Sequence, residues 1–235
     1  MRRIGLFVGA MVLVFGGYAH ADSVKVGTEG PTATGDCVPF GCFTHAQFIY
    51  DSSFFSGPVV ITGLTFFNSE QDIPDDFDPA TYTFSLSTSP SSAVAPSSTY
   101  ADNRGGDFQS WTPIALSGAI PTGFFSFTGT PFSYNPANGD LLLEVVKDAS
   151  LFPPAPGFFD YNGDTTPSAF LVSRVYGNDA TTGNVDSYYG PVTQFDLQTP
   201  VPAVPEPATL TLTGLGLVGV VTRRLRKNKK GTPSV

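Results

Sequence analysis

The stretch Thr81-Tyr-Thr-Phe-Ser-Leu-Ser87 (TYTFSLS) alternates hydroxylated and large apolar side chains without a break. Successive side chains of a β-strand point to opposite faces, so Tyr82, Phe84 and Leu86 share one face and Thr81, Thr83, Ser85 and Ser87 the other. The pattern predicts a half-buried strand with its apolar side on a core. The same grammar recurs on both sides. GPVVITGLTFFN (Gly57 to Asn68) reads as a longer, more buried strand with Gly63 as a bulge. GFFSFTG (from Gly123), DLLLEVVKD (from Asp140), SAFLVSRVYG (from Ser168) and PVTQFDL (from Pro191) follow, and Asn138-Gly139 suits a tight turn before Asp140. Leu141 to Val146 holds Leu and Glu but is too brief, and too closely bounded by turn residues, for a helix.

Many short strands separated by Pro, Gly, Asn and Asp predict an all-β fold, a β-sandwich of jelly-roll type over residues 22–198. A domain of about 150 residues hides roughly 68–70% of its unfolded surface. Phe66, Phe67, Tyr82, Phe84, Phe124, Phe125 and Phe127 are expected to fill that core, the alternative being a sugar-binding aromatic face. Ser87 to Asp107 (STSPSSAVAPSSTYADNRGGD) reads as a long surface connection whose Ser and Thr are candidates for O-linked sugar.

The N-terminus has the three parts of a secretory signal (1–21). Arg2 and Arg3 supply positive charge, Ile4 to Phe15 an apolar run, and Ala19-His20-Ala21 a small-residue cleavage site, so the mature chain is expected to start at Asp22. The apolar run is too short for a permanent span. Between Asp22 and Val204 the only basic residues are Lys25, Arg104, Lys147 and Arg174, against nineteen acids, a net of −15. Such a body repels phosphate backbones, which argues against nucleic acid as a partner.

Cys37 and Cys42 lie in CVPFGC. In an oxidising compartment a local disulfide is the expected state. A zinc reading adds His45 as C-x4-C-x2-H but lacks a fourth ligand; a free thiol is the third alternative. Calcium has a better candidate in DYNGDT, where Asp160, Asn162 and Asp164 alternate as hard oxygen donors on a turn. The EF-hand pattern then fails at Thr165 and Leu171. DIPDDFDP offers a second acidic loop with Asp72, Asp75, Asp76 and Asp78; solvated turns are the plainer explanation of both.

Catalytic groups are scarce. With His20 in the signal, His45 is the one histidine of the exported region, and there is no G-x-S-x-G elbow or glycine-rich phosphate loop. Of the glutamates, Glu29, Glu70 and Glu144 are available for a glycosidase pair, since Glu206 lies in the tail. The chain is read as not an enzyme.

The C-terminus is built in three steps. Val204-Pro205-Glu206-Pro207 ends a Pro-rich linker (199–207), Ala208 to Thr222 is an uncharged run of Leu, Val, Gly and Thr (208–222), and Arg223, Arg224, Arg226, Lys227, Lys229 and Lys230 open a basic tail (223–235). Fifteen helical residues reach about 22 Å against a bilayer core of about 30 Å, a marginal transmembrane helix. The basic cluster stops transfer and stays cytoplasmic. These residues resemble the PEP-CTERM sorting signal. The resemblance implies handling by exosortase, a membrane-bound processing enzyme, in a Gram-negative bacterium that makes exopolysaccharide. Cleavage near the motif, after a transient stay in the inner membrane, would deliver the protein to the cell surface or matrix. AQFIYDSSFFSGPVVITGLTFFN, TYTFSLSTS, GTPFSYNPANGDLLLEV and VTQFDL are also similar to passenger domains of such proteins, which supports the sandwich and implies no activity. The function expected is a structural or adhesive one outside the cell. A carbohydrate-binding module, calcium-dependent or not, is the alternative, and a polysaccharide hydrolase the second.

Overall fold

TYTFSLS forms the middle of a 14-residue strand, Asp76–Ser89. The computed structural model describes residues 21–30, 34–69, 76–148, 159–163 and 171–198. Residues 1–20 of the signal segment, Glu70, Asp72, Asp75, Asp164, the linker and sorting motif, the apolar run 208–222 and the basic tail lie outside these residues. The chain divides into two units, Met1–Pro200 and Val201–Val235, and all described residues belong to the first.

Among the described residues there are fourteen strands: β1 Ala21–Val26, β2 Thr34–Asp36, β3 His45–Tyr50, β4 Val59–Asn68, β5 Asp76–Ser89, β6 Gln109–Ser110 and β7 Ile114–Ala119, then β8 Gly123–Tyr134, β9 Asp140–Lys147, β10 Phe159–Gly163, β11 Val172–Gly177, β12 Asn184–Asp186, β13 Tyr189–Pro191 and β14 Thr193–Gln198. Short 3-10 turns are the remaining regular structure among them. No helix there is long and apolar enough to cross a membrane.

Every pairing among the described residues is antiparallel. One sheet runs β1-β14-β4-β8, a second β12-β11-β3-β9-β5-β6 with β7 also on β5, and a small third β13-β10-β2. The first two sheets face each other as a sandwich. Tyr50 of β3 meets Phe195 of β14 with ring centroids 5.0 Å apart, and Phe84 of β5 meets Phe127 of β8 at 4.8 Å. Tyr82, Phe84 and Leu86 are fully buried in this core, as alternation requires. Gly63 sits at a register shift of β4 against both β8 and β14. A Cβ there would lie 2.6 Å from the Asp196 carboxylate, so the bulge needs glycine for close approach.

Two expectations are corrected. β5 is buried on both faces only in its second half: Ser85 and Ser87 on its polar face are 4% and 0% exposed, while Thr81 and Thr83 stay partly exposed. The tight turn expected at Asn138-Gly139 is present, and it joins strands of different sheets. A 3-10 turn, Pro136–Asn138, carries the chain across, and Gly139 takes φ 141°. Of the seven expected core aromatics, Phe124 points away from the core and is 63% exposed, whereas its neighbours Phe125 and Phe127 are inside.

The core is plugged by a loop residue. Phe40, between Cys37 and Cys42, is fully buried and contacts Phe66, Phe77, Tyr82, Phe84, Phe125, Phe127 and Phe159. The two cysteines form a disulfide, which leaves no thiolate for zinc. The loop's carbonyls are satisfied from the sheet. Phe40 O accepts from Asp78 N at 3.0 Å and from Tyr82 Oη at 2.8 Å, Gly41 O from Lys147 Nζ, and Val38 O from Tyr161 Oη. Truncating a buried Phe to Ala costs about 3–5 kcal/mol, and one kcal/mol moves the midpoint of a domain this size by about 2–4 °C. Phe40→Ala is therefore expected to lower the thermal midpoint of the oxidised protein by roughly 6–20 °C in circular dichroism. A drop of a degree or two would show that the ring does not hold the core together.

Candidate functional site

The polar face of the large sheet is covered by the segment between β5 and β6, and the cover is fastened by one carboxylate. Register puts Ser85, Glu144 and Gln47 in one row across β5, β9 and β3. Glu144 is 1% exposed. It accepts from Gln47 Nε2 at 2.7 Å and Arg104 Nε at 2.8 Å, and a second Arg104 nitrogen reaches its other oxygen. His45 Nε2 lies 2.8 Å from the same carboxylate. Gln47 continues the network, donating to Tyr100 O at 3.0 Å and accepting from Asn103 Nδ2 at 2.9 Å. Tyr100, 1% exposed, stacks on His45 with centroids 3.6 Å apart. Asn103 in turn bridges to Ser97 through its amide and its carbonyl. What the sequence presents as a surface connection is thus a flap docked on the sheet. The Ser and Thr of β5 suit it: Ser87 Oγ accepts from Gly105 N at 3.2 Å, and Thr88 donates to Asp107 at 2.7 and 2.8 Å. Small hydroxylated side chains allow close approach and satisfy the backbone they cover.

Beside this network is a polar cleft of about 260 Å³ at the turn between β11 and β12. Tyr176, Asn178, Asp179, Thr182 and Asn184 line it, with Gly177 and Gly183 in its walls. The flap positions it. Tyr100 N donates to Thr181 O at 3.0 Å, Gly183 N donates to Ser98 O at 2.8 Å, and Thr99 bridges Thr182. A Cβ on Gly183 would fall 2.5 Å from Tyr100 Oη, so glycine is what lets the turn ride over that ring. Burial, then the charges of Glu144 and Asp179, push the Tyr100 phenol up to about 12, and it stays neutral. Asn178 Oδ1 accepts from Thr44 N at 3.1 Å. Asp179 Oδ1 accepts from Thr181 N, Thr181 Oγ1 and Thr182 N at 2.7, 2.7 and 3.1 Å.

The residues picked out by sequence are dispersed. His45 binds Glu144 rather than the cysteines. Asp160 and Asn162 lie on strand β10, not on a turn. Asp160 is buried and its Oδ1 accepts from Ser69 N and Oγ at 3.1 and 2.8 Å, while no partner reaches Oδ2. Asp76 and Asp78 open β5, and Asp78 pairs with the buried Lys147. Glu29 pairs with Lys25 at 2.8 Å. Among the described residues no group of three His, Cys, Asp or Glu side chains is placed to hold a metal ion. Sequence reasoning missed Gln47, Tyr100, Asn103 and Arg104. One signal was available: with four basic residues against nineteen acids, each cation is a candidate partner for a buried carboxylate. Arg104 and Lys147 serve that way, and Arg174 pairs with the partly exposed Asp36 and Asp186.

Burial alone would raise the pKa of Glu144. The hydrogen bonds from His45, Arg104 and Gln47, with the charge of Arg104, outweigh it and bring the value from 4.5 down to about 2. A depressed folded pKa stabilises the fold fully above the unfolded value and loses that contribution as pH falls through the folded one. At about 1.4 kcal/mol per unit the contribution is on the order of 3 kcal/mol. Glu144→Gln is expected to lose about that much in urea unfolding at pH 7. The gap to the parent should narrow from about pH 4.5 to pH 2 and close below it. A constant gap down to pH 2 would mean that the ionised carboxylate is not what fastens the flap.

No curated protein and no solved structure matches the chain. A family model does, at the C-terminal end: residues 203–227 match the PEP-CTERM protein-sorting motif. The chain therefore carries a PEP-CTERM sorting signal, the mark of an exported protein processed by exosortase.

Proposed function

We propose that this is a non-catalytic protein displayed on the cell surface or in the extracellular matrix of a Gram-negative bacterium, where its sandwich domain has a structural or adhesive role in contact with exopolysaccharide. The single observation that carries the reading is the sorting motif at residues 203–227. Exosortase reads the tail while the apolar run holds it in the inner membrane, and processing near Pro205-Glu206-Pro207 frees the domain. Proline on both sides of Glu206 disfavours helix there, which suits an accessible tag. The domain is compatible with an oxidising destination, because its two cysteines are joined and the joined loop inserts Phe40 into the core.

The non-catalytic part is supported by how the reactive groups are used. His45 is 6% exposed, stacked under Tyr100 and bonded to Glu144, and Glu144 already accepts from three residues. Both groups face the flap network and are withdrawn from solvent, which supports a role in holding the flap.

Intact-mass analysis of the protein recovered outside its native host tests the proposal. The expected species begins at Asp22, ends near the Pro-Glu-Pro motif and is two hydrogens lighter than the reduced chain. Replacing Pro205, Glu206 and Pro207 together by Ala is expected to leave an unprocessed, membrane-held form. Recovery of the parent from the cytosol with both termini intact would overturn the reading.

A further inference from the structure

We propose that the cleft at the β11–β12 turn binds one ring of a neutral saccharide. This deepens the surface-display reading and rests on it for where the ligand is met. Its volume, about 260 Å³, falls just below the ~300–1,000 Å³ usual for small-ligand sites, a space for one sugar ring rather than an oligomer.

The groups facing the cleft select the ligand. Asn178 has its carbonyl engaged by Thr44 N, which leaves its amide nitrogen to donate. Asp179 has Oδ1 engaged by the turn, which leaves Oδ2 to accept. Side-chain and backbone hydrogen bonds from Thr181, then the backbone of Thr182, lower its pKa and keep it an acceptor. The Thr182 hydroxyl and the Asn184 amide each offer both functions. Donors and acceptors lining one small cleft suit vicinal hydroxyls, each of which donates and accepts. Tyr176 also lines the cleft. Arg174 lies over its ring at 4.2 Å and Phe43 meets it at 4.8 Å, so its position is fixed.

Other ligand classes fit less well. An anion would find no cation in the lining and a body of net charge −15 around it. A metal ion would find one carboxylate. An apolar molecule would bury amides and a carboxylate against carbon, which is unfavourable. The cleft is also preorganised: the contacts of Ser98, Thr99 and Tyr100 with Gly183, Thr182 and Thr181 hold its turn in place before any ligand arrives.

The test is affinity gel electrophoresis of the secreted protein through gels containing soluble glucan, galactan or mannan, with alginate as the polyanionic control. At least one neutral polymer is expected to retard the parent. Asn184→Ala is expected to weaken that retardation about tenfold through lost hydrogen bonds, and Asn184→Trp, which fills the cleft, to abolish it. Both variants should keep the parent's thermal midpoint, since Asn184 is exposed on a three-residue edge strand. Three results would overturn the proposal: no retardation by any neutral polymer, retardation that persists in both variants, or a cleft-dependent preference for alginate. Delivery fails separately. A chain that binds a neutral polymer in the gel but stays unprocessed in the cytosol would remove the display reading and leave the cleft standing. A correctly delivered chain without retardation would do the reverse.

Discussion

The placing of Phe40 is the constraint on which the rest of the domain depends. In most sandwiches the two sheets fill the core between them. Here the ring that touches the most aromatic neighbours comes from a six-residue disulfide loop. Inserting a loop residue into a core orders the loop's backbone, and a polar backbone inside a core must be hydrogen-bonded. Both problems have local solutions. Closing so small a loop removes about 2 kcal/mol of chain entropy from the unfolded state. Tyr82, Lys147, Tyr161 and Asp78 N then take up the loop carbonyls. The arrangement ties the best-packed point of the core to an oxidised state, which a secretory protein meets on export and a cytosolic one does not.

The few cations follow the same logic. Lys147 joins Asp78 to the disulfide loop, Arg104 fastens the flap to Glu144, and Arg174 joins Asp36 to Asp186 while lying against the rings of Tyr161, Tyr176 and Tyr189. Each links segments distant in sequence. Buried ion pairs are poor sources of net stability, but removing one partner leaves a charge that is costly to bury. Three of the four basic residues between Asp22 and Val204 are committed internally, so most of the nineteen acids there have no basic partner. The resulting negative field favours solubility and disfavours polyanionic partners, and this is why a neutral ligand is the natural complement of the cleft.

The strands were legible because alternation is a local signal. Tyr82, Phe84 and Leu86 declare the inner face of β5 unaided, and Gly63 announces its bulge by being the one residue without a side chain in an otherwise bulky run. The disulfide was legible from spacing and compartment. The flap was not. Ser85 and Ser87 read as solvent-facing because a hydroxyl satisfied by water and one satisfied by a covering loop are the same residue in a sequence. The strand order was not legible either, since alternation fixes which face is buried and not which strand is the neighbour. Acidic loops drew attention to Asp160, yet its carboxylate is held by Ser69 within the protein. The cleft instead uses amides, a hydroxyl and a single acid from both ends of one turn, types too common to stand out by spacing.

Delivery and ligand binding are then linked by affinity. A single sugar ring of about twelve non-hydrogen atoms, at roughly 0.3 kcal/mol per atom, gives on the order of 4 kcal/mol, a millimolar site. One such cleft on a freely diffusing protein would hold almost nothing. A polysaccharide repeats its unit many times, and the proposed surface display would gather many copies of the domain at one place. Binding of the second and later contacts becomes effectively intramolecular, and avidity exceeds the single-site affinity by about 10²–10⁴ when geometry allows. A shallow polar cleft with no deep apolar pocket is an unpromising receptor for a soluble small molecule. On a surface-displayed protein, as proposed, it would be sufficient for adhesion and would release locally without breaking the whole contact. The tail and the cleft thus make physical sense together in a way that neither does alone.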